Sequence, residues 1–279
     1  YYLETEDNGE TWTTADKQSI PIPLTEKNSP SRVVDYSDLK KNIYLKDMVF
    51  DSSGRPICLY IRSKGHKPGP ENQPYEWCIT KWNGSKWTTH VVTTSDHNYD
   101  MGSLLIDKEK LYLVGPTAIG PQKWGVGGEL IVWKSDDWGA HWIKEKDLTQ
   151  NSPMNHSYIR KSENFKAPFV FFWADGDAHQ FSKSELFFGN LNGEIWKLPY
   201  SMEKEYELPI KITEKDIEHK YFKEKYKKNP KKIHKSSQVG IMNGLWANSM
   251  GMGGIIPIET FFFPSTTFLD LKLTGLQGD

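Results

Sequence analysis

Cysteine is nearly absent. The 279 residues hold two, Cys58 and Cys78. Two thiols cannot make a disulfide framework, and a metal site needs more ligands than one such pair supplies. They fall in consecutive expected strands, where buried free thiols are the expected state. Long apolar runs are missing too: nothing approaches the ~20 residues of a membrane-crossing helix. Neither sign of charge dominates, since 35 Lys and Arg stand against 36 Asp and Glu. No global field therefore points to nucleic acid or an acidic membrane. Arginine is scarce, with only Arg32, Arg55, Arg62 and Arg160. No Met opens the chain and no signal peptide is visible. Tyr1 and its neighbours read as the middle of a strand pair. An N-terminal part is therefore expected to be missing, and the compartment is not decided by the lack of a leader.

What is abundant is Trp, with 11 copies, and it recurs in a pattern. EDNGETW (6–12), WNGSKW (82–87), SDDWGAHW (135–142) and LNGEIW (191–196) each place Gly in a turn and Trp soon after. Runs of β-type residues flank them, so each reads as a hairpin with Gly or Asn at positive φ. The chain divides into units of four such runs. The first is 43–51, 56–64, 75–82 and 87–93; the second is 99–107, 110–116, 128–134 and 142–148; the third is 156–161, 169–175, 184–190 and 194–199. Asp47-Met48 of the first unit aligns with Asp100-Met101 of the second. Four strands in about 50 residues suit one propeller blade.

Two of the turns carry a tighter motif. TEDNGETW (5–12) fits S/T-x-D-x-G-x-T-W at every fixed position, and SDDWGAHW (135–142) fits with His141 in place of Thr. This resembles the Asp-box, or BNR, repeat of sialidase-type β-propellers. The resemblance implies an all-β propeller of four-stranded antiparallel blades. It also implies structural roles for Asp7, Gly9, Trp12, Asp137, Gly139 and Trp142: the Asp caps loop amides and the Trp packs between sheets. The expected organisation is a partial propeller over 1–203, with a half blade at 1–25 and blades at 43–93, 97–148 and 155–199. A propeller closes with ~4–8 blades. About three and a half are present, so further N-terminal blades are expected. Residues 204–279 read as an irregular tail, basic at 219–235 and apolar and Gly-rich at 244–273.

Propeller topology separates two faces. Turns between the first and second strands of a blade, and between the third and fourth, lie on one face; the remaining connections lie on the other. The second set is long and chemically varied here, at 62–74, 116–128, 174–184, 93–98 and 149–155. Function favours loops held by a rigid scaffold. Lys64, His66, Trp124, Asp175 and His179 are therefore expected to bind a ligand on that face. His97 and His156 sit where one blade crosses to the next, each followed two residues later by Tyr99 or Tyr158, with Arg160 two further on in the second case. Alternation along a strand would point each set to one side. A His–Tyr–Arg set suits removal of the C5 proton of a uronic acid, which needs a base, a partner for the carboxylate and an acid for the leaving oxygen. No metal and no cofactor is required.

LKDMVFDSSGRPICLYIRSKGHKPGP, SDHNYDMGSL, NSPMNHSYIRK and FFWADGD carry a resemblance to secreted bacterial BNR-repeat proteins of the neuraminidase type. These in turn resemble propeller polysaccharide lyases, ulvan lyases among them, and propeller rhamnosidases acting on rhamnosyl-glucuronate. The resemblance implies a secreted, periplasmic or cell-surface protein with a carbohydrate ligand. It implies lyase or glycosidase chemistry on an acidic poly- or oligosaccharide at the long-loop face. A non-catalytic carbohydrate- or protein-binding propeller is the alternative. A true sialidase fits less well, because three arginines grip the sialate carboxylate and at most Arg62 and Arg160 can reach this face. No nucleic-acid partner is expected.

Overall fold

A computed structural model describes residues 1–201 and 208–213, and the course of two strands at 241–247 and 253–259. Its residues form two units, 1–224 and 225–279. The first unit is built from three antiparallel sheets. The first holds β1 (Asn42–Phe50), β2 (Pro56–Ser63), β3 (Tyr75–Trp82) and β4 (Trp87–Ser95) in that order. The second holds β5 (Ser103–Asp107), β6 (Lys110–Ala118), β7 (Glu129–Ser135) and β8 (Ile143–Asp147), again in chain order. The third holds β9 (Asn155–Lys166), β10 (Phe169–Gly176), β11 (Leu186–Gly189) and β12 (Ile195–Lys197), with β13 (Ile210–Ile212) added beyond β12. β13 lies past residue 203, where composition changes. The described part of the second unit is one antiparallel pair, β14 (Ile241–Ala247) with β15 (Gly253–Glu259). The basic stretch 219–235 lies outside the described residues.

Alternation explains how the sheets stack. In β6, Leu111 and Leu113 join one apolar cluster with Ile57, Leu59, Ile61, Trp77 and Ile79 of the first sheet. Val114, with Leu130 and Val132 of β7, joins the other, with Ile159, Phe171, Trp173 and Phe187 of the third. The second sheet is thus buried on both faces between its neighbours. The edge strands β1, β5 and β9 meet along one seam. Asp47 Oδ2 accepts from the Leu104 N–H and from Lys161 Nζ, both at 2.8 Å. Ser103 Oγ donates to the Ile159 carbonyl at 3.2 Å. Residues 1–41 carry only single bridges, Glu4–Thr13 and Thr13–Ser19, where a half blade is expected over 1–25.

The turns follow their chemistry. Gly9, Gly84, Gly139 and Gly193 all take positive φ, between 87° and 102°. In the first motif turn, Asp7 Oδ1 accepts from the Thr11 N–H at 2.8 Å, and Trp12 Nε1 donates to the Gly9 carbonyl at 3.0 Å. In the second, Asp137 Oδ1 accepts from the His141 N–H at 2.9 Å, and Trp142 Nε1 donates to the Gly139 carbonyl at 3.0 Å. His141 Nδ1 lies 2.6 Å from Asp137 Oδ2, matching the 2.6 Å bond that the Thr11 hydroxyl makes to Asp7. These bonds to the hydroxyl and amide of Thr11, with one from Thr5, hold the Asp7 carboxyl at about 2. Cys58 and Cys78 are free thiols, and burial raises both, to about 11 and about 12.

Candidate functional site

The long connections interlock on one face. Tyr99 donates from its hydroxyl to the His66 carbonyl at 2.9 Å, and Asn98 Nδ2 donates to the Gly65 carbonyl at 3.1 Å. The Trp124 N–H donates to Asp96 Oδ2 at 2.7 Å. Asn155 Nδ2 donates to the Gln122 carbonyl at 3.0 Å, and His179 Nε2 lies 3.2 Å from the Lys123 carbonyl. Lys64, His66 and His179 are exposed there, and Trp124 is half-buried with Lys123 Nζ 5.1 Å from its ring centre.

Neither histidine of the crossing segments faces solvent. His156 is completely buried. Trp173 Nε1 donates to its Nδ1 at 3.0 Å, Ser152 Oγ lies 3.0 Å from Nε2, and the Trp173 and Phe187 rings meet it edge-on. Burial alone pushes its pKa down to about 3. A neutral imidazole with both nitrogens engaged, behind aromatics, cannot touch a substrate, which removes the catalytic role expected for it. The expected alternation fails for a local reason. A bulge between the Ser157–Ala174 and Arg160–Phe172 pairs of β9 and β10 puts Tyr158 at φ 60°. The bulge turns Tyr158 to solvent and Ile159 into the core.

His97 is 1% exposed and sits between two carboxylates. Its Nδ1 lies 2.7 Å from Asp96 Oδ1, and its Nε2 contacts Asp100 Oδ2. Asp100 Oδ1 accepts the Gly127 N–H at 2.5 Å. Burial pushes the Asp100 carboxyl up to about 7, against the pull of His97 and the Gly127 amide. Burial also acts on Asp96, but its bonds from His97 and the Trp124 amide win and lower it. His97 is thus a clamp between the crossing loop and the 121–128 loop, and its expected role as a solvent-facing acid or base is corrected. Residues 99–102, expected to begin a strand, belong to this loop, since β5 starts at Ser103. Asp175 is also turned inward, with Oδ1 accepting the Glu185 N–H at 2.7 Å and burial raising it to about 6.

Sequence reasoning passed over the cluster beside this clamp. Lys46 is an extra residue in a bulge of β1, between Leu45, which pairs with Tyr60, and Asp47, which pairs with Leu59. The bulge re-aims it inward, so Lys46 is 8% exposed while Leu45 is 71% exposed. Its Nζ donates to the Asn98 carbonyl at 2.9 Å and stands 5.5 Å from the Tyr44 ring centre. The Tyr44 and Tyr99 rings meet edge-on at 5.3 Å. Burial lowers the Lys46 amine to about 8; the Asp100 carboxyl opposes this and the Arg160 charge adds to it. Arg160 is half-buried and makes no ion pair among the described residues. Two cations therefore stand within electrostatic reach of each other, beside two tyrosines, with one buried carboxyl near them. A signal was present. Extending the Asp47–Asp100 alignment backwards puts Lys46 opposite Tyr99 and Tyr44 opposite His97.

An open cleft of about 540 Å³ lies elsewhere, lined by Ile119, Pro121, Lys144, Asp147 and Asn151 among others. None of the expected site residues lines it. Its buried carboxylate, Glu129, is already satisfied by Thr149 and by the Ser152 hydroxyl and amide. No group of three or more His, Cys, Asp or Glu able to hold a metal occurs among the described residues.

The fold defines a class first: all-β, with stacked antiparallel sheets of four strands, one of them extended by a fifth, of the propeller-blade kind. Among solved structures, a polysaccharide lyase described as an ulvan lyase aligns with a TM-score of 0.51 at 14% identity. It covers 64% of this chain, and the chain spans 40% of that one. The same figures hold for the enzyme bound to -[GlcA(1-4)Rha3S]-. The phage phi92 endosialidase aligns over 84% of the chain but at a TM-score of 0.36. No family model matches the sequence. Among curated proteins, a Lon protease homolog of Acanthamoeba polyphaga mimivirus is 41% identical over 71 residues, which is 24% of this chain and 7% of that protein. Among the described residues no helix is long and apolar enough to cross a membrane.

Proposed function

We propose that this protein is a carbohydrate-active propeller that binds an acidic, uronic-acid-containing poly- or oligosaccharide at its long-loop face and cleaves it by β-elimination. The observation that carries the reading is the half-buried Arg160, which has no counter-ion among the described residues, beside Lys46, which has no carboxylate bonded to it among them either. Burying unpaired cations is unfavourable unless an anion completes them. A sugar carboxylate fits, and a guanidinium can hold it through two parallel bonds. Tyr44, Tyr99 and the half-buried Trp124 offer apolar faces and hydroxyls suited to a sugar ring. The ulvan-lyase likeness supports the fold of the scaffold; the substrate class rests on the charge arrangement. An extracellular or cell-surface location follows from a polysaccharide substrate.

The test is to incubate the protein with uronic-acid polysaccharides and follow the ultraviolet absorbance of an unsaturated product. Absorbance growing with time supports elimination. New reducing ends without it would replace elimination with hydrolysis. Binding with neither product supports the second reading, a non-catalytic carbohydrate-binding propeller, which the burial of both His97 and His156 favours.

A further inference from the structure

With the two histidines locked, the proposed elimination lacks a base. Lys46 is within electrostatic reach of Arg160 and Asp100, with the Tyr44 ring beside it and Tyr99 against Tyr44. Asp100 is sealed from solvent and clamped to His97 and Gly127. Tyr44 is raised by burial and by its Tyr99 neighbour, so it stays protonated and is a poor base. Tyr99 spends its proton on the His66 carbonyl. Lys46 differs in kind. Among the described residues its one hydrogen bond, to the Asn98 carbonyl, uses a single N–H. A neutral amine held that way keeps its lone pair free. The β1 bulge, which costs ladder pairing, turns this side chain inward beside the Tyr44 ring and the Asn98 carbonyl, within electrostatic reach of Arg160.

We propose that Lys46 is the proton acceptor of the site, acting on the uronate whose carboxylate Arg160 binds. This rests on the elimination reading above. The C5–H bond breaks and its proton passes to Lys46 Nζ, leaving an ammonium. The electron pair is held as an enolate against the Arg160 guanidinium. It then forms the C4–C5 double bond as the C4–O bond breaks. The departing oxygen takes a proton from the Tyr44 hydroxyl; the tyrosinate is then reprotonated and the Lys46 ammonium deprotonated through solvent, which restores both groups with no net proton consumed. No oxidant or reductant is needed. An amine whose pKa lies near 8 is suited to this work at ordinary pH, because a general base is most effective when its pKa is close to the working pH. The charged and titratable groups bearing on it are Asp100, Arg160, Tyr44 and Tyr99.

The plain alternative is that Lys46 only ties β1 to the crossing loop. Two variants separate the roles. Lys46→Arg keeps the charge and a donor for Asn98 but cannot be neutral near pH 8. Lys46→Gln keeps a donor and removes the charge. Unfolding midpoints, binding of a uronate oligosaccharide, and turnover from pH 6 to 10 would be measured on the wild type and both variants. The proposal expects wild-type turnover to rise with pH through about 8. It expects both variants to fold and to lose roughly 10²–10⁴-fold in turnover, with Lys46→Arg still binding. Turnover within a few fold of wild type in Lys46→Arg, or an unchanged pH profile, would overturn it. So would wild-type cleavage with no rise through that range. A wild type that cleaves no uronate polymer by elimination overturns the earlier reading, and this proposal with it.

Discussion

At the scale of single residues, burial decides what each titratable group can do. His156 and Asp100 are both sealed, and burial moves them in opposite directions, to about 3 and about 7. Their consequences for stability are opposite too. The unfolded chain protonates His156 below its ordinary 6.5, while the folded protein refuses that proton until about 3, so stability falls as pH drops through this window. The folded protein keeps Asp100 protonated up to about 7, while the unfolded chain releases the proton above 3.8, so stability falls as pH rises through that window. Between about pH 4 and 6.5 the two contributions cancel. Urea unfolding across that range tests this. Asp100→Asn is expected to make stability rise more steeply with pH than in the parent. His156→Gln is expected to do the reverse. Each change approaches roughly 1.4 kcal/mol per pH unit. Three parallel curves would contradict the assignment. The sequence put His97 and His156 at equivalent crossing positions, but composition could not say that Trp173 and two carboxylates would enclose them.

At the scale of elements, strand existence and order were legible because period-two alternation and Gly turns punctuate the chain. β2, β3 and β4 fall within two residues of where the pattern puts them, and β6, β7 and β10 are as close. What was illegible is the pair of bulges. One extra residue at Lys46 and another near Tyr158 reverse the pleat, and neither leaves a mark in hydrophobic pattern. Those two places hold the candidate site, so the sequence pattern misreads which side chains gather there. The sheet stacking makes its own prediction. Gly102 packs on Trp77, and a Cβ there would stand 2.6 Å from Trp77 Cζ3 and 3.2 Å from the Val114 carbonyl. Trp77 is fully buried between the first two sheets and has no room to give. Gly102→Ala is therefore expected to cost about 1–3 kcal/mol. Gly176→Ala, whose nearest neighbour would be Ser182 Oγ at 3.6 Å, is expected to stay within about 0.5 kcal/mol. Chemical denaturation of both variants reads the difference.

At the scale of the whole molecule, the three stacked sheets bring their edge strands β1, β5 and β9 together at one polar seam. That seam carries Asp47 paired with Lys161 in its middle, and Lys46 and Arg160 beside it. The pairing is informative. Lys161 has its carboxylate, whereas among the described residues its neighbour Arg160 and the bulged Lys46 do not. Low arginine content sharpens the point, since Arg62 is held by Glu76 at 2.8 Å and Arg55 by Asp51 at 2.8 Å. Arg32 is paired with Asp35, so Arg160 is the one guanidinium left for a ligand anion among the described residues. The stacking is what gathers these groups, because Lys46 and Asp47 come from β1 of the first sheet and Arg160 and Lys161 from β9 of the third. A single sheet would present only half of them.

The central claim is that this arrangement recognises a sugar carboxylate. Calorimetric titration with a uronic-acid oligosaccharide, and with the same oligosaccharide after its carboxyl groups are reduced to alcohols, tests it most directly. Wild type should bind the acid form at least about tenfold more tightly than the reduced form, and Arg160→Ala should erase that difference, as loss of a charge-assisted bidentate contact would. Equal binding of the two forms by wild type, or a preference untouched by Arg160→Ala, would contradict the account.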